Sequence, residues 1–231
     1  MWQSFIGALV AGVLLVSQAA AQSATGTDGA RCIGLDTDTK DPNARELVCL
    51  RELSDRAKRS GNVLSLKLDD GKEKIFRSDP DACGKDDANH CARYYLVGFH
   101  PSSGRYLVYA TYYEEFECKL VSMHTGKATT LRNIPHFAPD GSTFFVTGYD
   151  GSYDNWLNVG SMSSDPPALV WEMGPIVGQD WSFVRWIDND RIALSNSVHD
   201  ASCPDGNCEG VLKRTNNTWS LEQLPPKSGA K

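Results

Sequence analysis

The chain has 231 residues, of which 41% are hydrophobic and 23% are charged, and its formal net charge is −6. The apolar fraction is too high for a disordered chain, and the acidic balance argues against a protein that binds nucleic acid. The length suffices for one sizeable domain or two small ones, and the sequence contains no motif specific enough to name a reaction.

An uncharged apolar run occupies residues 5–21 and ends in three consecutive alanines. Small residues at this place are typical of a signal-peptidase site, and a run of this length is short for a membrane-spanning helix. Residues 1–21 are therefore predicted to be a signal peptide, with an uncleaved membrane anchor as the alternative. After cleavage we expect a periplasmic or secreted protein with no stable membrane insertion.

All seven cysteines follow this segment, and an oxidising compartment would pair most of them. Closeness along the chain favours the disulfide bonds Cys83–Cys91 and Cys203–Cys208, and a third bond, Cys32–Cys49, would fix the N-terminal arm. Other connectivities stay open. The remaining Cys118 sits in a strand-like stretch and is predicted to be a buried, inert free thiol. A catalytic or intermolecular thiol is the alternative. The Cys and His spacings fit no zinc motif, so we expect no metal.

Apolar residues recur mostly with a period of two, which indicates strands. Four hairpins of one type follow, in residues 63–76, 119–131, 156–171 and 209–221. The first has the turn dipeptide Asp70-Gly71 between its strands. Residues 44–59 are predicted to be partly helical. The pattern as a whole predicts an all-β protein of antiparallel meanders.

A second element precedes three of these hairpins and repeats along the chain. Residues 99–108 align without a gap with residues 137–146, and residues 186–194 form a third, shorter copy. Each copy has an aromatic residue, a tight turn and a returning strand. Repetition at about 40 residues with four strands per unit is typical of propeller blades.

The turn Phe137-Ala138-Pro139-Asp140-Gly141 resembles the F/W-S-P-D-G turn of the TolB-type and WD40-like β-propeller repeat proteins of the bacterial envelope. The resemblance covers residues 94–224 and implies propeller-like, four-stranded antiparallel meanders over residues 63–224. Only three full units and one half unit are present, so either residues 30–53 of the N-terminal arm (residues 22–62) complete a fourth blade or the sheets stay open. A β-sandwich or an open antiparallel sheet is the alternative fold. The tail, residues 225–231, is expected to be flexible.

Two stretches, residues 109–117 and 149–156, place aromatic residues beside carboxylates. In a propeller both would connect the second and third strands of a blade and could meet at one mouth. Exposed aromatics among acids suit a basic protein partner or a sugar, whereas inward-facing aromatics would simply be core. The candidate binding residues, including one tryptophan expected on the rim, are Tyr112, Tyr113, Glu114, Glu115, Phe116, Tyr149, Tyr153, Asp154, Trp156 and Trp181.

These residues favour an exported, non-enzymatic module that recognises another protein, and the acidic charge of the chain would attract a basic partner. The alternative is an exported carbohydrate-active hydrolase that pairs Glu114 or Glu115 with Asp150 or Asp154. A serine-hydrolase elbow, a phosphate-binding loop and a dinucleotide fingerprint are all missing from the sequence, and we expect no cofactor.

Overall fold

The computed structural model of the chain describes Cys32 and residues 41–83, 90–113, 115–149, 155–176, 179–197 and 208–224. For Tyr149, which ends a strand, only the backbone is described. The predicted signal peptide, residues 1–21, and the predicted tail, residues 225–231, lie outside these residues. Within them, no helix combines the length and apolar character that crossing a membrane requires.

Among these described residues, fifteen strands form four antiparallel sheets, which we number in chain order. The first sheet has three strands: β1 (Ala57–Ser60), β2 (Val63–Lys67) and β3 (Glu73–Arg77). The second has four strands: β4 (Arg93–His100), β5 (Arg105–Thr111), β6 (Phe116–Ser122) and β7 (Ala128–Leu131). The third comprises β8 (His136–Phe137), β9 (Thr143–Tyr149), β10 (Asn155–Ser161) and β11 (Ala168–Ile176). The fourth comprises β12 (Trp181–Asp188), β13 (Arg191–Asn196), β14 (Cys208–Thr215) and β15 (Thr218–Gln223).

In each sheet, consecutive strands are hydrogen-bonded neighbours, so the all-β prediction of antiparallel meanders is confirmed. Turn chemistry explains why. Gly71 in the β2–β3 turn has φ 81°, and Gly141 in the β8–β9 turn has φ 69°. A residue with a Cβ adopts such angles only with strain, so glycine at these two positions lets the chain reverse tightly.

Helix α1 (Pro42–Glu52) precedes the sheets. Proline occupies its first position, and the Asp41 carboxylate caps it by accepting a hydrogen bond from the Asn43 N–H at 2.9 Å. The helix packs against β4. It accounts for part of the helix predicted over residues 44–59, while β1 lies inside the predicted arm and pairs with β2. Residues 42–52 of the arm are therefore helical. Strand β1, which also belongs to the arm, adds a third strand to the first sheet.

The core is divided among three buried clusters, each lying between consecutive sheets. Strand β5 contributes Tyr106 and Val108 to the cluster shared with the first sheet, and Leu107 to the cluster shared with the third. In β9, Phe144 faces the second sheet, whereas Phe145 packs with the fourth. Successive side chains of a strand point to opposite faces, so each middle sheet has two buried faces. Among the described residues none of these clusters joins the first sheet to the fourth, which fits the open arrangement.

Two predicted disulfide bonds are present, Cys32–Cys49 and Cys83–Cys91. The first attaches Cys32 to α1, and the second links the short helix α2 (Pro80–Cys83) to Cys91, two residues before β4. Cys208 is also disulfide-bonded, and its predicted partner Cys203 lies outside the described residues. Disulfide bonds of this number are typical of an oxidising, non-cytoplasmic compartment.

Strand β12 forms one edge of the fourth sheet, and β13 is its one partner among the strands that the structure describes. Its register shifts twice, so Val184 and Ile187 have no directly opposed residue in β13. Both are β-bulge positions, and both side chains are exposed, at 52% and 39%.

Candidate binding surface

The hairpin of β5 and β6 presents most of the first predicted aromatic stretch. Thr111 and Phe116 form its last register pair, and the Tyr112 N–H donates a hydrogen bond to the Glu115 carbonyl at 2.8 Å. The connection is thus closed by a hydrogen bond between its two ends. The side chains at this end therefore lie on a short part of the second sheet whose backbone is fixed by hydrogen bonds.

Neighbouring residues of the hairpin differ in exposure. Tyr113 and Phe116 expose 51% and 45% of their surface, and Glu115 is exposed as well. Tyr112, in contrast, is half-buried and its hydroxyl donates to the Glu117 carboxylate. Burial and this hydrogen bond raise the pKa of Tyr112, which keeps its hydroxyl protonated. We call Tyr113, Glu115 and Phe116 the β5–β6 surface.

Further aromatic rings support this surface from inside the sheet. The Tyr109 ring lies 5.8 Å from that of Phe116, centroid to centroid. Tyr95 pairs with Tyr109 across β4 and β5, and both pack partly against the cluster between the second and third sheets. These two tyrosines were not among the predicted site residues. The sequence pattern could have indicated them, because aromatic residues alternate in both strands and the register of the pair places Tyr95 beside Tyr109.

The second predicted aromatic stretch is described only in part. Glu114, Tyr153 and Asp154 lie outside the described residues, as does Asp150 of the proposed carboxylate pairs. Tyr149 is the last residue of β9 and pairs with Asn155.

Trp156 in β10 is half-buried and lies under a cation. The Arg132 guanidinium, which follows β7, is 4.3 Å from the centre of its ring. Gly174 of β11 makes room for the indole, since a Cβ there would be 2.7 Å from the ring. The cation–π contact links the second and third sheets and already occupies one face of this ring.

Trp181 is only 1% exposed and belongs to the cluster between the third and fourth sheets. The side chain of Asn155 holds its backbone, because the Trp181 N–H donates to Asn155 Oδ1 at 3.2 Å and Asn155 Nδ2 donates to the Trp181 carbonyl at 3.3 Å. Trp181 is therefore a core residue in this fold and does not reach the rim. We leave it out of the binding surface.

A polar pocket of about 310 Å³ lies where α1, the first sheet and the second sheet meet. Its lining includes the buried Glu46, which pairs with Arg59, and the exposed Arg93 at the start of β4. Sequence reasoning missed this pocket, because its residues come from separate elements that only the tertiary fold brings together.

His100 contacts serine hydroxyls, whereas no carboxylate among the described residues bonds to it. His100 is 3% exposed and contacts Ser103 Oγ through Nδ1 at 2.8 Å, but its ring lies against Phe137, with centroids 4.4 Å apart. Burial and the nearby Arg105 cation lower the pKa of His100. Within the same residues no group of three or more His, Cys, Asp or Glu could hold a metal ion.

The free thiol of Cys118 is fully buried. Burial raises its pKa well above the ordinary value, so the reactive thiolate is suppressed. The position and protonation of this thiol fit an inert core residue.

Comparisons with known proteins add no family. No protein-family model and no curated protein matches the chain. Among solved structures, it is similar to a protein from Bacteroides uniformis described as a 6-phosphogluconolactonase, with 14% sequence identity and a TM-score of 0.30. The alignment covers 73% of this chain and 65% of that protein. A TM-score of this size supports no statement about the fold or the activity of this chain.

Proposed function

We propose that this chain is an exported, non-enzymatic module that binds another protein through the β5–β6 surface. The observation that carries the proposal is the exposure of Tyr113 and Phe116 on a hydrogen-bonded hairpin. Large aromatic rings exposed to water are costly to hydrate, and aromatic residues contribute strongly to binding when a partner covers them. A braced hairpin also lowers the entropy lost on association.

The charge around these rings favours a basic partner. Glu115 is exposed within the surface, and the chain as a whole carries net charge −6. Glu117 already forms an ion pair with Lys119. Lysine or arginine side chains of a partner could stack on the aromatic faces while pairing with Glu115. Acidic surroundings would also speed the approach of such a partner.

Export of the mature protein is part of this proposal. The disulfide bonds support an oxidising compartment, and the predicted signal peptide would supply the route. We therefore place the interaction in the periplasm or outside the cell. We also propose that the four sheets are propeller-like blades that do not close into a ring.

Photo-crosslinking tests the surface directly. p-Benzoylphenylalanine is placed at position 113 in one variant and at position 170 in another, because Val170 is also exposed, at 56%, but lies in β11 of the third sheet. Each purified protein is irradiated with an extract of exported proteins. We expect a specific adduct from position 113 only. Equal adducts from both positions, or none from position 113, would contradict the proposal.

The partner identified in the adduct is then purified, and its Kd is measured against substituted chains. Tyr113→Ala and Phe116→Ala should each weaken binding about tenfold or more, which corresponds to about 1.4 kcal/mol. Val170→Ala is the matched control and should bind like the wild type. Unchanged affinity in both aromatic variants would exclude this surface as the interface.

A further inference from the structure

The pocket between α1 and the first two sheets has more hydrogen-bond donors than the protein itself uses. Two arginines but only one carboxylate line it, together with the Asn62 amide and the Ser78 hydroxyl. Its volume of about 310 Å³ is at the lower end of the range for small-molecule sites.

The single carboxylate, Glu46, is already satisfied. Arg59 donates to it from both Nε and Nη2, each at 2.6 Å, and the Leu96 N–H donates at 2.9 Å. Glu46 is 6% exposed, so this bidentate pair is largely removed from water. Arg59 thus neutralises the negative charge of Glu46. No carboxylate among the described residues that line the pocket balances the positive charge of Arg93.

Three donors remain for a ligand. Nη2 of Arg59 is taken up by Glu46 and by the Tyr94 carbonyl, which leaves the two N–H groups of Nη1 without a partner among the described residues. The Arg93 guanidinium likewise has no hydrogen bond or ion pair within that part of the chain. Ser78 Oγ accepts the Tyr94 N–H at 3.0 Å, so its hydroxyl hydrogen is left to donate.

From this arrangement we propose that the pocket binds the oxyanion group of a small solute, a carboxylate or a phosphate. Planar guanidinium groups match two oxygens of such an anion, and a serine hydroxyl adds a third hydrogen bond. Tyr94, whose ring packs against Phe76, also lines the pocket and would contact the apolar part of the solute. This site is separate from the β5–β6 surface and does not depend on its function.

Thermal unfolding with added anions tests the site. Inorganic phosphate and sodium acetate are titrated separately into the full mature protein, with sodium chloride holding the ionic strength constant. A ligand that binds only the folded state raises Tm, by roughly 3–6 °C at ten times its Kd for a chain of this size. Comparing the two titrations tells whether phosphate or carboxylate is preferred.

Arg93→Gln is the informative variant, because this exposed side chain can lose its charge without unpairing a buried group. Arg59 is left in place, because its removal would leave the Glu46 carboxylate buried and without its cationic partner. Arg185→Gln, an exposed arginine of β12, is the matched control. We expect Arg93→Gln to need at least ten times the anion concentration of the wild type for the same rise in Tm. Arg185→Gln should show the same rise in Tm as the wild type at each anion concentration.

Equal responses in all three proteins would reveal a general salt effect and overturn the proposal. The absence of any response to phosphate and to acetate in the wild type would also overturn it. Circular dichroism of Arg93→Gln without anion shows that the variant is folded. Tyr113→Ala should retain the anion response, which separates a failure of this site from a failure of the β5–β6 surface.

Discussion

The imidazole ring of His136 lies nearly parallel to the phenyl ring of Phe183, with 3.8 Å between ring centroids and 11° between planes. His136 belongs to the third sheet and Phe183 to the fourth. The Trp186 indole N–H donates to the His136 carbonyl at 3.1 Å and strengthens the same contact. Burial lowers the pKa of His136 from 6.5 to about 4, so the stacked ring is neutral at pH 7.

We expect the free energy of unfolding to fall as the pH is lowered from about 6.5 to 4. The unfolded chain binds a proton at His136 near pH 6.5, whereas the folded chain binds it only near pH 4, so protons favour the unfolded state in this window. The full difference amounts to about 3 kcal/mol. Urea unfolding at about pH 7 and pH 4.5 measures it. His136→Phe should lose less stability between these values, and an identical loss in both proteins would contradict this assignment.

Asp165→Ala is expected to destabilise the protein by about 3 kcal/mol. Arg105 is 4% exposed, and its Nη2 lies 3.5 Å from Asp165 Oδ1 across the second and third sheets. Removing the carboxylate leaves a buried cation poorly compensated. Asp188→Ala, which breaks the exposed pair with Arg191, should cost less than about 1 kcal/mol. Similar losses in the two variants, measured by urea unfolding, would argue against a special role of the pair between Arg105 and Asp165.

Gly160→Ala should cost about 1–3 kcal/mol through overpacking. A Cβ at this position of β10 would lie 1.9 Å from Phe144 Cζ, so the buried ring would have to move. Gly148→Ala is the control within the same sheet, since its nearest contact would be an ordinary 3.6 Å from Asn133. Denaturation midpoints compare them. The explanation fails if the control is destabilised as strongly.

Thiol titration without reductant should find no reactive group in the native protein and one per chain after denaturation. Cys118 is buried, its pKa is raised, and the other cysteines are bonded or predicted to be bonded. A native protein that reacts at once would show that Cys118 is accessible. Several thiols after denaturation would instead overturn the disulfide scaffold, and with it the support for export.

The hairpins were predictable because local chemistry determines them. Turn residues such as Asp70 and Gly71 stand between alternating strands, and neither needs a distant partner to reverse the chain. Strand β1 was assigned to the arm instead, because its sequence, AKRS, is polar and carries no alternating apolar signal. Its pairing with β2 becomes visible only in the register of the sheet.

Exposure at the candidate site depended on tertiary contacts and was harder to predict. Tyr112 and Tyr113 are adjacent in sequence, yet only Tyr113 is exposed, because Glu117 holds the Tyr112 hydroxyl. Trp181 resembles a surface aromatic in sequence but enters the core, where Gly210 leaves space for its ring. A Cβ at that glycine would be 2.6 Å from the indole, a constraint between residues that are far apart in the chain.

The division of the core into clusters between consecutive sheets has a consequence for how the molecule opens. Each sheet is stabilised by its immediate neighbours, as in linear repeat proteins, so loss of structure should spread from an end. Within the part of the chain that the structure describes, the fourth sheet shares a cluster with one neighbour, whereas the second and third sheets each share clusters with two. Amide hydrogens of β13 and β14 should therefore exchange with solvent sooner than those of β5 and β9, which makes the fourth sheet a separate unit of local unfolding.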